Sequence, residues 1–443
     1  MAAAPEKITM QEVNRLALPA IIAGIAEPVI ALIDTAFIGH ISTEALGGIG
    51  IGSSLFLLFI WVLTQTKTAI SAIVSRHYGA GTLDSIRGLI PQAMVFVLVL
   101  GILVYALADI FSVQLLELYS AQGEVLHQSD IYFSIRCIGF PIVLCTFIIF
   151  GIFRGLQNTS WAMMISLSAA LLNALLDYLL IFGIDGLIPA MGIAGAAWAS
   201  LIAQIYMLIA ALFMLRSKTP FKLKRLERLH PEFKNLLGMS SGFIIRTLAL
   251  NLTFFMANRF ATGYGSAALA AHTIAMNIWL FSAYFIDGYA NAGNALSGRL
   301  LGKGDTQELY RIGMKLMRLS ILIGAMLSLV YLSLYPFMAT FFTDDPEVLT
   351  LFASFFWIVI LAQPLNAIAF SLDGVFKGLG NAPYLMYTLL AATFLGFLPL
   401  LYLTDYLGWE LKGIWAGFIL FMAVRGSSLW YKFRLLYRPS HSA

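Results

Sequence analysis

The sequence predicts an all-α polytopic membrane protein of twelve transmembrane helices, in two six-helix bundles related by a pseudo-two-fold axis along the membrane normal. Three observations carry that prediction. The 443 residues are 60% hydrophobic and 11% charged, with a mean hydropathy of +0.85, whereas soluble domains are roughly 25% charged. Apolar runs of about 20 residues, the length that crosses a bilayer, recur near 14–40, 45–76, 90–115, 131–155, 160–183, 190–215, 235–260, 266–299, 311–335, 349–376, 382–404 and 411–433. The chain also repeats itself. FRGLQNTSWAM from Phe153 matches FKGLGNAPYLM from Phe376, a shift of 223 positions. Without gaps, that shift puts Ala45-Leu46 on Ala268-Leu269, Arg76 on Arg299, Gly79 and Gly81 on Gly302 and Gly304, Glu124-Val125-Leu126 on Glu347-Val348-Leu349, and Pro141 on Pro364. Six spans per copy is an even number, so both copies enter the membrane the same way up and their axis lies along the normal.

Loop charge sets the orientation. Segments after even-numbered spans carry Arg76, Arg87, Arg154, Arg299, Lys303, Lys377 and Lys432, while those after odd-numbered spans carry Glu44, Glu117, Glu124, Asp185, Asp344 and Asp405. Lys and Arg concentrate in cytoplasmic loops, which predicts both termini and the basic linker 216–234 on the cytoplasmic side. The N-terminal lobe is then 1–215 and the C-terminal lobe 235–443. The net charge of +4 is spread over short loops, so no basic domain exists to dock nucleic acid. The N-terminus has no separate apolar region of the kind a cleavable signal needs. Cys137 and Cys145 are the two cysteines, both in one apolar segment, which predicts neither a disulfide framework nor a metal site. No HExxH helix, nucleophile elbow or acid/base/nucleophile set is apparent, so the chain does not read as an enzyme. A monomer is the default for a two-lobed carrier.

The first span, LALPAIIAGIAEPVIALIDTAFIGH from Leu16 to His40, holds two carboxylates and two prolines. An acid at the middle of a spanning helix costs about 3 kcal/mol even on the lenient insertion scale. Asp34 is therefore the leading functional candidate. Pro19 and Pro28 each remove a backbone donor, which predicts that this helix kinks or unwinds locally. Glu27 lies two turns before Asp34, where it lines the same cavity or pairs with a base.

Function is sought where the two copies differ. The shift of 223 carries Asp34 to Ala257, Asn173 to Gly396 and Asp177 to Leu400. Asn173 and Asp177 are four apart in span five and share a helix face. Counting rise per residue from the outer helix ends puts Asp34, Asp177 and Ser200 at one depth. Together with Asn173 they offer hard oxygen ligands for a coupling ion, a proton or sodium. Two close carboxylates in a low-dielectric site cannot both ionise cheaply, so such a pair exchanges a proton near physiological pH. The alternative is a satisfied hydrogen-bond knot between helices.

The second copy has its own polar set. Arg246 needs an acid partner, and Asp287 and Asp373 are the available ones, giving a packing ion pair or a gate. His272 and Asn277 read as cleft-facing groups or as hydrogen-bond glue between helices. Lys67 and Arg246 stand out as the intramembrane bases. Duplicated halves around one cavity are the transporter pattern.

These residues resemble the multidrug and toxic compound extrusion (MATE) family. The likeness rests on the first-span stretch, NALLDYLLIFG in span five, GIAGAAWAS in span six and the FRGLQNT/FKGLGNA pair, and it covers nearly the whole chain. DGYANAGNALSGRLLG from Asp287 and LDGVFKG around Asp373 are similar to its DinF-type branch. The resemblance implies a secondary exporter of amphipathic, often cationic compounds in antiport with protons or sodium, seated in a bacterial cytoplasmic (inner) membrane and needing no cofactor beyond the coupling ion. It implies that Asp34 is the coupling acid with Asn173 and Asp177 beside it, that Ser200 stands where relatives often have threonine, and that Pro19 is the bending proline. Acids that another branch keeps in the second half are Ala257 and His272 here, and that part is not carried over. A lipid-linked oligosaccharide flippase is the alternative on the same repeat, but an anionic pyrophosphate calls for a cavity rich in Lys and Arg.

Overall fold

The computed structural model describes residues 7–38, 42–119, 121–184, 186–187, 189–222, 228–335 and 337–439, without the side chains of 26–36 and 43. Apart from an isolated β-bridge residue at Ile184, its regular structure is helical. In chain order the helices are α1 Met10–Ile38, α2 Thr43–Leu63, α3 Gln65–Ala80, α4 Leu89–Ile110, α5 Ser112–Glu117, α6 Gly123–Cys137, α7 Gly139–Gly155, α8 Ser160–Phe182 and α9 Gly192–Lys218. They continue with α10 Pro231–Gly263, α11 Ser266–Lys303, α12 Thr306–Leu334, α13 Pro346–Gly378, α14 Ala382–Ala391, α15 Leu398–Tyr406 and α16 Glu410–Tyr437. Among the described residues ten helical stretches are long and apolar enough to span a membrane, or eleven when α6 and α7 count as one. The first expected span falls on α1. Outward faces are apolar, as Val99, Ile102, Leu103, Leu107 and Ile110 on α4 illustrate, which is the surface an integral membrane protein presents to lipid.

The chain divides into two compact units. One is Ile22–His77 with Thr82–Leu237, and the other is Met1–Ile21, Tyr78–Gly81 and Gly238–Ala443. The first three turns of α1 thus pack with the second unit. Ile8 N–H donates to Glu308 Oε1 at 2.8 Å, Arg311 donates to the Ile8 carbonyl at 3.1 Å, and Glu12 pairs with Arg299 at 3.7 Å. Gly288 lets α1 lie close, since a Cβ there would sit 2.0 Å from Ile21 Cγ1. The helix assignment is continuous across Pro19, so local unwinding, one of the two expected outcomes, does not occur there. Pro28 and Glu27 lie outside the described side chains.

The internal repeat reappears as matched contacts, each within its own unit. In the first, a Cβ on Gly151 would lie 2.5 Å from the Lys67 carbonyl oxygen, and one on Gly155 would lie 3.0 Å from that of Ser71. In the second, the distances are 2.2 Å from Gly374 to the Ala290 oxygen and 2.1 Å from Gly378 to the Asn294 oxygen. All four pairs obey the shift of 223. GIFRG and GVFKG are therefore small-xxx-small seams that bring backbones together where no side chain fits.

The copies differ in where their helices break. The second expected span is split at Thr64, whose hydroxyl donates to the Ile60 carbonyl at 2.7 Å, whereas its counterpart α11 runs unbroken. The fourth is bent by 46° between α6 and α7, whereas α13 is continuous through Pro364. Conversely α8 is regular, while its counterpart carries a π-helical turn at Ala392–Phe397 between α14 and α15. Glu124, expected in a loop, lies on α6, which begins at Gly123. The end of the linker docks on the first unit: Gln92 holds His230 N–H and the Arg228 carbonyl, both at 2.9 Å, and Arg76 pairs with Glu232 at 3.0 Å.

Candidate functional site

In the first unit, α8 and α9 each turn a pair of polar residues inward, one helical turn apart. On α8 these are Asn173 and Asp177, 1% and 0% exposed although Leu171 and Leu175 on the same helix face outward. On α9 they are Ser200 and Gln204, both buried. Gly195 allows the close approach of the two helices, because a Cβ there would lie 2.5 Å from the Leu180 carbonyl oxygen. Gly195→Ala should therefore push α9 off α8 and cost about 1–3 kcal/mol, read as a lower unfolding midpoint of the purified protein.

Asn173, Ser200 and Gln204 line one cavity of about 70 Å³, together with Arg136 and an apolar wall that includes Phe56, Val143 and Met207. That volume exceeds the roughly 10–15 Å³ that one water needs, so the space admits a small ion with water. Neither amide atom of Asn173, nor Gln204 Oε1, nor Arg136 Nε has a hydrogen-bond partner among the described residues. Leaving a buried polar atom unpaired costs about 1–3 kcal/mol, so this cavity suits a guest that supplies both donors and acceptors. The Arg136 guanidinium lies 4.2 Å from the Phe56 ring centroid, which fixes it at the cavity wall. Gln204 reaches its place because Gly139, at the α6/α7 bend, has no Cβ; one would meet Gln204 Oε1 at 2.2 Å.

Of the residues singled out in the sequence, Asn173 and Ser200 thus share one space, and Asp177 is buried one turn along α8 from Asn173. The Asp34 side chain lies outside the described residues. Arg136 and Gln204 escaped the sequence reading, although Gln204 stands one turn after Ser200 and Arg136 falls inside a predicted span.

The second unit gathers its charges elsewhere. Arg246 donates to Asp373 Oδ1 at 2.6 Å, Lys377 lies 2.9 Å from Asp373 Oδ2, and Arg425 lies 3.6 Å from Oδ1. Asp287 is not part of this group: it is exposed and accepts from Asn291 at 3.3 Å. Arg425, 1% exposed on α16, adds a buried base to Lys67 and Arg246. His272 is buried with its ring 5.7 Å from that of Trp415, and Asn277 is exposed. At the π-turn, Gly396 and Phe397 stand where α8 has Asn173, and Phe397 packs 5.0 Å from Phe418. The second unit fills with aromatic rings what the first leaves as a polar cavity.

Comparison with known proteins follows the same duplication. The family model MatE matches twice, over residues 19–179 and 243–403. DNA damage-inducible protein F of Escherichia coli (strain K12) is 27% identical over 425 residues, covering 94% of this chain and 90% of that protein. Protein DETOXIFICATION 44, chloroplastic, of Arabidopsis thaliana is 27% identical over 432 residues, covering 94% and 80%. A crystal structure described as MATE in the bent conformation superposes with a TM-score of 0.90 at 19% identity, covering 96% of this chain and 95% of that one.

Proposed function

The chain belongs to the MATE family of multidrug and toxic-compound efflux transporters, and from that premise we propose that it exports amphipathic or cationic compounds in exchange for protons. Asp34 is the coupling acid, with Asn173, Asp177 and Ser200 as its surroundings. The observation that supports this most is the asymmetry of the two units: the first holds a polar cavity at Asn173 and Ser200 beside the fully buried Asp177, and the second has Gly396 and Phe397 at the place corresponding to Asn173. A proton reaching Asp34 from outside removes its charge and its hold on its polar neighbours. α1 then bends near Pro19 or Pro28 and the first-lobe cavity contracts, so proton and substrate compete for one space. The passage of α1 from one compact unit to the other between Ile21 and Ile22, within a turn of Pro19, is consistent with a bend there.

The same oxygens would suit sodium if all stayed deprotonated, so sodium is the alternative to the proton at this site. Around Asp373, Arg246 acts as a gate pair, while Asp287 and Glu27 are cavity groups. The protein works as a monomer in a bacterial cytoplasmic membrane with both termini and the linker in the cytoplasm, as loop charge predicts.

Reconstituted in vesicles with separately imposed gradients, the purified protein should move ethidium against its own gradient when a proton gradient is applied. An equal sodium gradient should leave ethidium at the level of protein-free vesicles. Movement driven by sodium alone would replace the proton in this reading, and movement under neither gradient would end the coupling proposal.

A further inference from the structure

One buried carboxylate in the second unit faces three bases. Asp373 and Arg425 are 3% and 1% exposed and Arg246 is 5% exposed, while Lys377 forms the more accessible edge of the group with 19% of its side chain open. Among the described residues the charges do not balance: one negative group against three positive ones leaves an excess of two positive charges within an apolar helix bundle. A packing ion pair needs one base per acid, and each further buried base adds desolvation and mutual repulsion.

The hydrogen bonds do not balance either. Arg246 gives one Nη2 bond to Asp373 Oδ1 at 2.6 Å, and its Nε has no acceptor among the described residues. Arg425 donates from Nη1 to the Met422 sulfur at 3.4 Å, a weak acceptor, and its Nη2 lies 3.6 Å from Asp373 Oδ1, too far to bond. Phe370 and Phe421 lie 5.5 and 5.3 Å from the Arg425 guanidinium and account for its apolar contacts, so its polar edge is what remains to be satisfied. Two guanidinium donors and two uncompensated charges around one focus are complementary to an oxyanion, which accepts forked bonds from arginine and supplies the missing negative charge.

We infer that the Arg246–Lys377–Arg425 cluster of the second unit binds an oxyanion, supplied by the carboxylate of a small organic acid or by the phosphate of a lipid headgroup, with Asp373 as the resident competitor for that place. This goes beyond the export of cations, because it gives the second unit a ligand of the opposite charge. Asp373 holds the bases together while the site is closed, and Lys377 at the exposed edge is where an arriving anion first meets positive charge.

The test uses the purified full chain. In neutral detergent, unfolding midpoints are followed against sodium sulfate and disodium succinate at ionic strength held constant with sodium chloride. In parallel, nanodiscs of phosphatidylglycerol are compared with nanodiscs of phosphatidylcholine. A saturable rise with sulfate or succinate assigns the site to soluble anions, and a rise confined to phosphatidylglycerol assigns it to a headgroup. Arg425→Met and Arg246→Met should abolish the rise, and Lys377→Gln should weaken the apparent affinity about tenfold, the loss of one charge-assisted contact. Asp373→Asn should strengthen it several-fold, because it removes the competing carboxylate. Equal midpoints in oxyanion and chloride together with equal midpoints in the two lipids would overturn the inference, as would weaker binding by Asp373→Asn. Should the arginine variants not fold, an unchanged oxyanion response in Lys377→Gln overturns it alone.

Discussion

Asp34→Asn will leave a chain that inserts and folds but no longer couples: proton-driven ethidium transport in vesicles falls to the protein-free level, and its dependence on pH flattens. The carboxamide keeps the shape and hydrogen-bonding reach of the acid but has no proton to exchange, so the step that trades ion for cargo is removed while the cavity persists. Substrate binding, followed by fluorescence anisotropy of ethidium, should persist in the variant and lose its sensitivity to pH. The companion Asp177→Asn removes the titratable group of the fully buried acid on α8 and should lower transport less, since in this scheme it tunes Asp34 rather than carrying the proton. If Asp34→Asn retained full proton-driven efflux, the mechanism would be wrong whatever the fold.

The second large effect concerns stability. Gly374→Ala and Gly378→Ala place a methyl 2.2 and 2.1 Å from backbone oxygens of α11, and a backbone oxygen cannot turn aside as a flexible side chain can. Either change forces α11 and α13 apart, at a cost of about 1–3 kcal/mol, and the pair together should prevent accumulation of folded protein. Gly151→Ala in the first unit should behave alike, since its methyl would lie 2.5 Å from the Lys67 oxygen and from Ile70 Cγ2. Gly238→Ala is the control: nothing lies within 4 Å of a Cβ there, and alanine in a helix is favoured over glycine by about 1 kcal/mol. Unfolding midpoints of the four proteins in one detergent check the order. A midpoint for Gly374→Ala at or above that of Gly238→Ala would show that the seam yields.

The span limits and the duplication were legible because hydrophobic runs and loop charges are local signals with few alternatives in a bilayer. Asp373 as the partner of Arg246 was legible as one of two choices, and what decided between them, the exposure of Asp287, depends on how α11 is rotated. Rotation about a helix axis is set by packing, which periodicity reads poorly when a helix is apolar all round. The same cause hid Arg425, which falls near the middle of the last expected span, 411–433, and which packing buries completely. The breaks at Thr64 and Ile138 left no mark either. Thr64 is an unremarkable residue at a span centre, and the bend after Arg136 falls three residues before Pro141, the residue that would have drawn attention. The seams GIFRG and GVFKG overlap the very stretches that revealed the repeat, yet only the carbonyls facing them show why glycine is needed.

The π-helical turn at Ala392–Phe397 has a consequence for the ancestry of the second half. A wide turn of this kind accommodates one residue more than the α-helix around it, so past it the correspondence between halves slips from 223 positions to 224. Because the wide turn absorbs the added residue, the helix beyond keeps its azimuth, and Leu401 rather than Leu400 then takes the place that Asp177 has in the first half. A single codon gained in one copy would thus have been taken up within one turn, leaving the remainder of the helix seated as before and leucine at the place where the sister half keeps an acid.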